Sequence, residues 1–189
     1  DTILDAELAS LLAFQADLIS RGVSANLSVI RFDDASVIED MDPVAPGVQF
    51  TTTPTADADG NGMSDFEEIV RSIEATGSTN FEAPLQDAIT VFNGIGSTGG
   101  TLVFLSDGSP NSGGTYDDEV MTLQGLGVDL RAFGVGTGAD LPDLQIIDPS
   151  AMTVTTSQDL AMALTNIGVT SGTSSVDLVL SAAPPVAFS

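Results

Sequence analysis

The chain lacks histidine, lysine and cysteine altogether. Without histidine there is no Ser-His or Cys-His pair. Without lysine there is no Walker loop and no Schiff base, and without cysteine neither a thiolate nucleophile nor a disulfide framework. Enzyme chemistry would have to rest on carboxylates or a carboxylate-bound metal, and no general base can be named among them, so the expectation is a protein that is not an enzyme. Bases are scarce too: four arginines stand against 27 acidic residues, for a formal net charge of −23. Such a surface repels nucleic-acid phosphates and anionic membranes and favours cations. No apolar run is long enough to cross a bilayer, and nothing at Asp1 reads as a secretory signal.

The acid is concentrated in one place. Residues 57 to 68 read DADGNGMSDFEE, in which five of twelve residues are carboxylates and two are glycines. Asp57, Asp59, Asn61, Asp65 and Glu68 fall at the first, third, fifth, ninth and twelfth positions, with Gly62 at the sixth. This spacing matches an EF-hand calcium loop, in which a hard cation collects roughly six to eight oxygens and glycine makes the sharp turn. The Met63 carbonyl takes the seventh position, and Glu68 closes the cage with both oxygens. An acidic surface turn is the plainer alternative. Phe66, Ile69, Val70 and Ile73 then recur at helical spacing, whereas FTTTPTA before the loop is β-branched and carries Pro54. A strand or turn therefore leads into the loop, unlike the helix of a true EF-hand.

Around this loop, strands alternate with helices. Ile3, Leu4, Leu8, Leu11, Leu12, Leu18 and Ile19 mark an amphipathic helix ending at Gly22. ANLSVIRF follows as a strand, GVQFTTT as a second short strand, and Phe81, Leu85, Ala88, Ile89 and Phe92 as a helix. TLVFLSDGSPN is an apolar strand that stops at Asp107; a helix over Tyr116 to Leu126, the strand VDLRAFGVG, a short helix from Leu141 to Ile147, the strand AMTVT and a helix over Asp159 to Leu164 complete the series. Apolar strands joined through helices predict an α/β fold: a three-layer, doubly wound, mostly parallel sheet covered on both faces, with ligands bound beyond the carboxyl ends of its strands.

GSTNFEAPLQDAI, TLVFLSDGSPN and GVDLRAFGVGTGADLPDLQIID together resemble a von Willebrand factor A domain, the family that includes integrin I domains. The resemblance runs from Ile3 to about Leu164, giving a domain over 1–168 with the calcium loop inserted at 57–68 and a tail over 169–189. It implies a metal-ion-dependent adhesion site on top of the sheet. Thr79 matches that site's threonine and Asp107 its later aspartate, with calcium or magnesium as the ion. Two plainer roles stand beside these: Thr79 and Glu82 as a capping box, and Asp107-Gly108 as the start of a turn. The family's D-x-S-x-S motif, and the central strand that carries it, are not found before Ile3. An upstream segment is the first expected filler of that gap; the tail, in which SSVDLVLSA reads as a strand, is the rival, and a plain linker to a flanking module is the third reading. The implied function is extracellular: a secreted or cell-surface module of a large bacterial protein, binding a protein or glycan through a divalent ion. The alternative is a calcium-rigidified spacer with no active adhesion site.

Overall fold

The computed structural model describes residues 3–74, 78–96, 99–167 and 176–182. Its centre is a six-stranded sheet. The strands are β1 (Ala25–Phe32), β2 (Ser36–Ile38), β3 (Thr101–Ser106), β4 (Asp129–Val135), β5 (Met152–Val154) and β6 (Val176–Ala182), in the spatial order β2-β1-β6-β3-β4-β5. Only the edge strand β2 is antiparallel to its neighbour. Parallel strands need crossovers, and helices α1 (Ile3–Ser20), α2 (Asp65–Ser72), α3 (Glu82–Ile95), α4 (Asp117–Gly125), α5 (Leu141–Ile147) and α6 (Ser157–Thr165) fill the connections.

Period-two alternation along each strand sends successive side chains to opposite faces, and each face has its own core. Val103 and Leu105 of β3 join Leu27, Val29, Phe133 and Val135 against α1, α2 and α6, whose Leu11, Phe14, Leu18, Phe66, Val70, Leu160 and Leu164 are buried. Leu102 and Phe104 join Ile30, Phe32, Leu130 and Ala132 against α3, α4 and α5. Every residue of β3 is buried, as an apolar strand inside a two-sided sheet should be. Helix α1 ends as expected: Gly22 adopts φ +62°, while its amide and that of Val23 close onto the carbonyls of Ile19 and Leu18. Ile19, expected on the inward stripe, is 46% exposed.

Two expectations are corrected. The second strand is Ser36–Ile38 and not GVQFTTT, which contributes one antiparallel bridge, Thr52 to Leu27. A tight turn, in which the Asp33 amide meets the Ala35 carbonyl and Asp33 Oδ1 accepts from the Ala35 amide, folds the chain back at once. β2 thereby takes the outer edge of β1 at Ile30 to Phe32 and leaves residues 47–53 only its lower end. The central strand, expected upstream, comes from the tail. β6 lies between β1 and β3, running from Ala25 opposite Val176 to Arg31 opposite Ala182 on one side and from Thr101 opposite Leu178 to Leu105 opposite Ala182 on the other. The linker expected in the rest of the tail lies outside the described residues.

Candidate metal centre

The carboxyl ends of β1, β6 and β3 come together at one end of the sheet. Asp107 follows β3 directly and is 7% exposed. Its Oδ1 is buried with no hydrogen-bond partner. An aspartate whose work was to start a turn would spend its carboxylate on the turn's own amides. Here the Gly108 amide donates to Ser106 Oγ instead. Burial pushes the Asp107 carboxyl up to about 6, which its own backbone amide partly offsets.

Thr79 reaches the same point from the loop before α3. The loop is fixed on both sides: the Asn80 amide donates to the Asp33 carbonyl, and the Thr79 carbonyl accepts from the amides of Asn111 and Ser112. The Thr79 amide in turn donates to Asn111 Oδ1. Helix α3 does not use Thr79 as its cap; Asn80 Oδ1 accepts from the amides of Glu82 and Ala83. The threonine hydroxyl is turned towards the strand end, where a Cβ added to Gly108 would stand 3.1 Å from it. Glycine at 108 is what lets the two approach. Gly138, after β4, leaves similar room, since a Cβ there would meet the Asp107 carbonyl at 2.9 Å. Thr79, separate in the sequence, thus comes to the end of β3, its hydroxyl against the glycine that follows Asp107.

A third side chain, missed in the sequence, completes the picture. Glu7 of α1 is fully buried, and neither of its carboxyl oxygens has a hydrogen-bond partner. Burial pushes its carboxyl well above the usual range, and repulsion from Asp107 adds to the shift. The signal was present: Glu7, Leu11, Phe14 and Leu18 follow helical spacing, so an acid occupies the apolar stripe. No arginine answers it. Arg21, Arg31, Arg71 and Arg131 pair with Asp17, Glu39, Glu67 and Asp129. Among the described residues, buried oxygens without donors, a hydroxyl at the same strand end and arginines all committed elsewhere suit a hard divalent ion, which Asp107 and Thr79 would hold.

The acidic loop has a different character. Gly62 turns it at φ +92°. Asp57 Oδ1 accepts from the amides of Gly60 and Asn61, and its Oδ2 from that of Gly62. The Asn61 side-chain amide lies between Asp59 and Glu68 and donates to both. Met63, at the exposed tip, donates its amide to Asn61 Oδ1. Asp65 is buried and accepts from the Ala58 amide and the Thr52 hydroxyl. The loop is moored to α1 by Gln15, which donates to the Pro54 carbonyl at 2.7 Å and to Ser64 Oγ at 2.6 Å. Among the described residues, no three acidic side chains converge closely enough to hold a metal by themselves.

No protein-family model matches the sequence, and no curated protein matches it. Solved structures do share the architecture. A von Willebrand factor type A protein from Catenulispora acidiphila superposes with a TM-score of 0.70 at 17% identity, over 89% of this chain and 38% of that one. Proximal thread matrix protein 1 from the mussel byssus gives 0.62 at 15% identity, over 86% and 41%. The same mussel protein with a zinc-occupied MIDAS motif gives 0.62 at 16% identity, again over 86% and 41%. The chain thus spans well under half the length of these structures. At such identities the likeness is one of architecture, and on that basis the chain has the α/β fold of von Willebrand factor A domains.

Proposed function

We propose that the protein is a non-enzymatic binding module in which a divalent cation at the sheet end, held by Asp107 and Thr79, offers a positive centre to an acidic group on a protein or glycan ligand. The observation that carries this is the buried Asp107 Oδ1, left without a donor at the strand end where the Thr79 hydroxyl comes up against Gly108. Support also comes from the mussel matrix protein, a structure of the same fold described as having a zinc-occupied MIDAS motif. A bound ion would be the largest local charge, able to attract a carboxylate through the field of a chain with net charge −23. The setting we infer is extracellular, as one module of a secreted or surface protein of a bacterium. Residues 183–189, APPVAFS, which follow the central strand, contain no acid, so a D-x-S-x-S motif does not come from there.

An array of surface proteins and glycans, probed with and without chelator, tests this reading. Chelation and Asp107→Ala are each expected to weaken a captured ligand at least tenfold. A ligand held equally well by Asp107→Ala would remove the mechanism. Binding lost only in Glu68→Ala would instead favour the rigid spacer.

The acidic loop we assign to calcium, with ligands from Asp57, Asp59, Asn61, Asp65, Glu68 and the Met63 carbonyl. Its support is the ligand spacing and the existing link of Asp59 to Glu68 through Asn61. Asp65 would have to share its oxygens with the Ala58 amide and Thr52. Calcium at about a hundredfold over its dissociation constant stabilises by about 2.7 kcal/mol. In a domain of this size that raises the melting temperature by roughly 5–10 °C. Calorimetry in calcium and in chelator should show this rise for the parent and little of it for Glu68→Ala. Equal melting temperatures in both solutions for both proteins would exclude the loop as a calcium site.

A further inference from the structure

Glu7 has no role in the function proposed above, yet its position is an uncomfortable one. Its carboxyl lies wholly inside the protein on the core-facing stripe of α1, with both oxygens lacking a donor. The group that acts on it electrostatically is another buried acid with an unpartnered oxygen, Asp107. The two groups come from different layers, one on a helix and one at the end of β3, a strand whose every residue is buried. Proteins relieve such a pair by keeping a proton on the acid, with a base, with donors, or with a cation. All four arginines are committed to other acids; the Gly108 amide bonds Ser106, and Ser10 Oγ, one turn beyond Glu7, donates to the carbonyls of Ala6 and Ser157.

We propose that Glu7 and Asp107 together bind one hard divalent cation inside the fold, with the Thr79 hydroxyl as a third oxygen, so that the ion ties α1 to the end of β3. The donors are all oxygen, and they are few. A cation that keeps part of its water shell, of the magnesium type, suits such a site better than one that demands a full protein cage. Two carboxylates balance the ion's charge, which Asp107 alone could not do. The retained waters are the positions a ligand oxygen would take. The inference rests on the metal half of the proposed function and adds a ligand from a helix that reading left out.

Manganese is the probe, since its electron paramagnetic resonance distinguishes free from bound ion. The protein is the full chain carrying Asp57→Asn and Glu68→Gln, which silence the acidic loop. One manganese per chain is expected, displaced by magnesium. Glu7→Gln and Asp107→Asn should each weaken it at least tenfold. Glu7→Gln should also melt no lower than its parent in chelator, because it replaces a buried acid that has no donor by a neutral group of the same shape, and should lose the rise that magnesium gives the parent. A purely structural glutamate would instead lower the melting temperature equally in both solutions, and that result overturns the proposal. So does unchanged manganese affinity in Glu7→Gln; if Asp107→Asn alone abolishes binding, the proposed function keeps its metal and only the Glu7 assignment falls. No manganese in the loop-silenced parent overturns both. Should Glu7→Gln not fold, Glu7→Asp decides, because the retracted carboxylate is expected to weaken the ion at least threefold and an equal affinity excludes Glu7 as a ligand.

Discussion

A chain that stops at residue 168 is expected not to fold. It would lack β6, which hydrogen-bonds to β1 on one side and to β3 on the other. Without it the sheet separates into a two-stranded ribbon, β1 with β2, and a three-stranded one, β3 to β5. Each would present an open edge where the native sheet has none, with its backbone groups unpaired. An isolated two-stranded ribbon is marginal at best in water. Far-ultraviolet circular dichroism of the truncated chain should show no cooperative melting. Val179→Pro in the full chain is the milder version, because it removes one ladder donor from a strand with neighbours on both sides. A truncated chain that melts like the full one would mean that β6 is not the central strand.

The second large effect is expected from Phe104→Ala. Phe104 is fully buried in the middle of an aromatic group. Its ring lies 5.1 Å from that of Phe32 and 4.8 Å from that of Phe81, the latter edge-on at 72°, and Phe81 in turn meets Tyr116 at 5.7 Å. These rings link β1, β3, the residue before α3 and the residue before α4, so one deletion opens a cavity in the middle of that run of rings. The cost should be about 3–5 kcal/mol, a large share of a total stability of about 5–15 kcal/mol. Met121→Ala is the control, 60% exposed and expected to stay within about 0.5 kcal/mol. Chemical denaturation measures both, and a Phe104→Ala loss below about 1 kcal/mol would contradict the packing. Phe81 directly follows Asn80 and Thr79, so the same rings that hold the layers together also hold the threonine at the sheet end.

Most of the sheet is written in local sequence. TLVFLS is apolar because both its faces are covered, DLRAFGV becomes so from Ala132 onward, and each side of the alternation can be assigned to one of the two cores. Neighbours are harder to read, because a strand pattern records burial and not partners. VDLVLSA was recognisable as a strand, but nothing in those residues says that it sits in the middle of the sheet. β2 was missed for a related reason: SVI is short and half exposed, and what makes it a strand is the turn at Asp33 to Ala35 rather than its own composition. At the candidate site, the sequence pointed to Asp107 and Thr79 through their settings. Glu7 needed a different reading, in which the informative feature is a charge where helical spacing demands an apolar residue. The cap of α3 shows how close such readings run, since Asn80 performs the task that Thr79 could have taken one residue earlier.

The placement of β6 also governs the order in which the molecule can be made. The strand at the centre of the sheet is the last of the six to leave the ribosome. Until Val176 emerges, β1 and β3 have nothing between them, and the contacts that close the sheet span most of the chain. Closure is therefore a late, long-range event and should be slow. Through that interval each nascent chain carries two unprotected edges, the sites at which copies of a protein pair with one another. A net charge of −23, with every arginine paired to an acid, keeps such chains apart by mutual repulsion. The acid excess thus guards an unfinished sheet during synthesis.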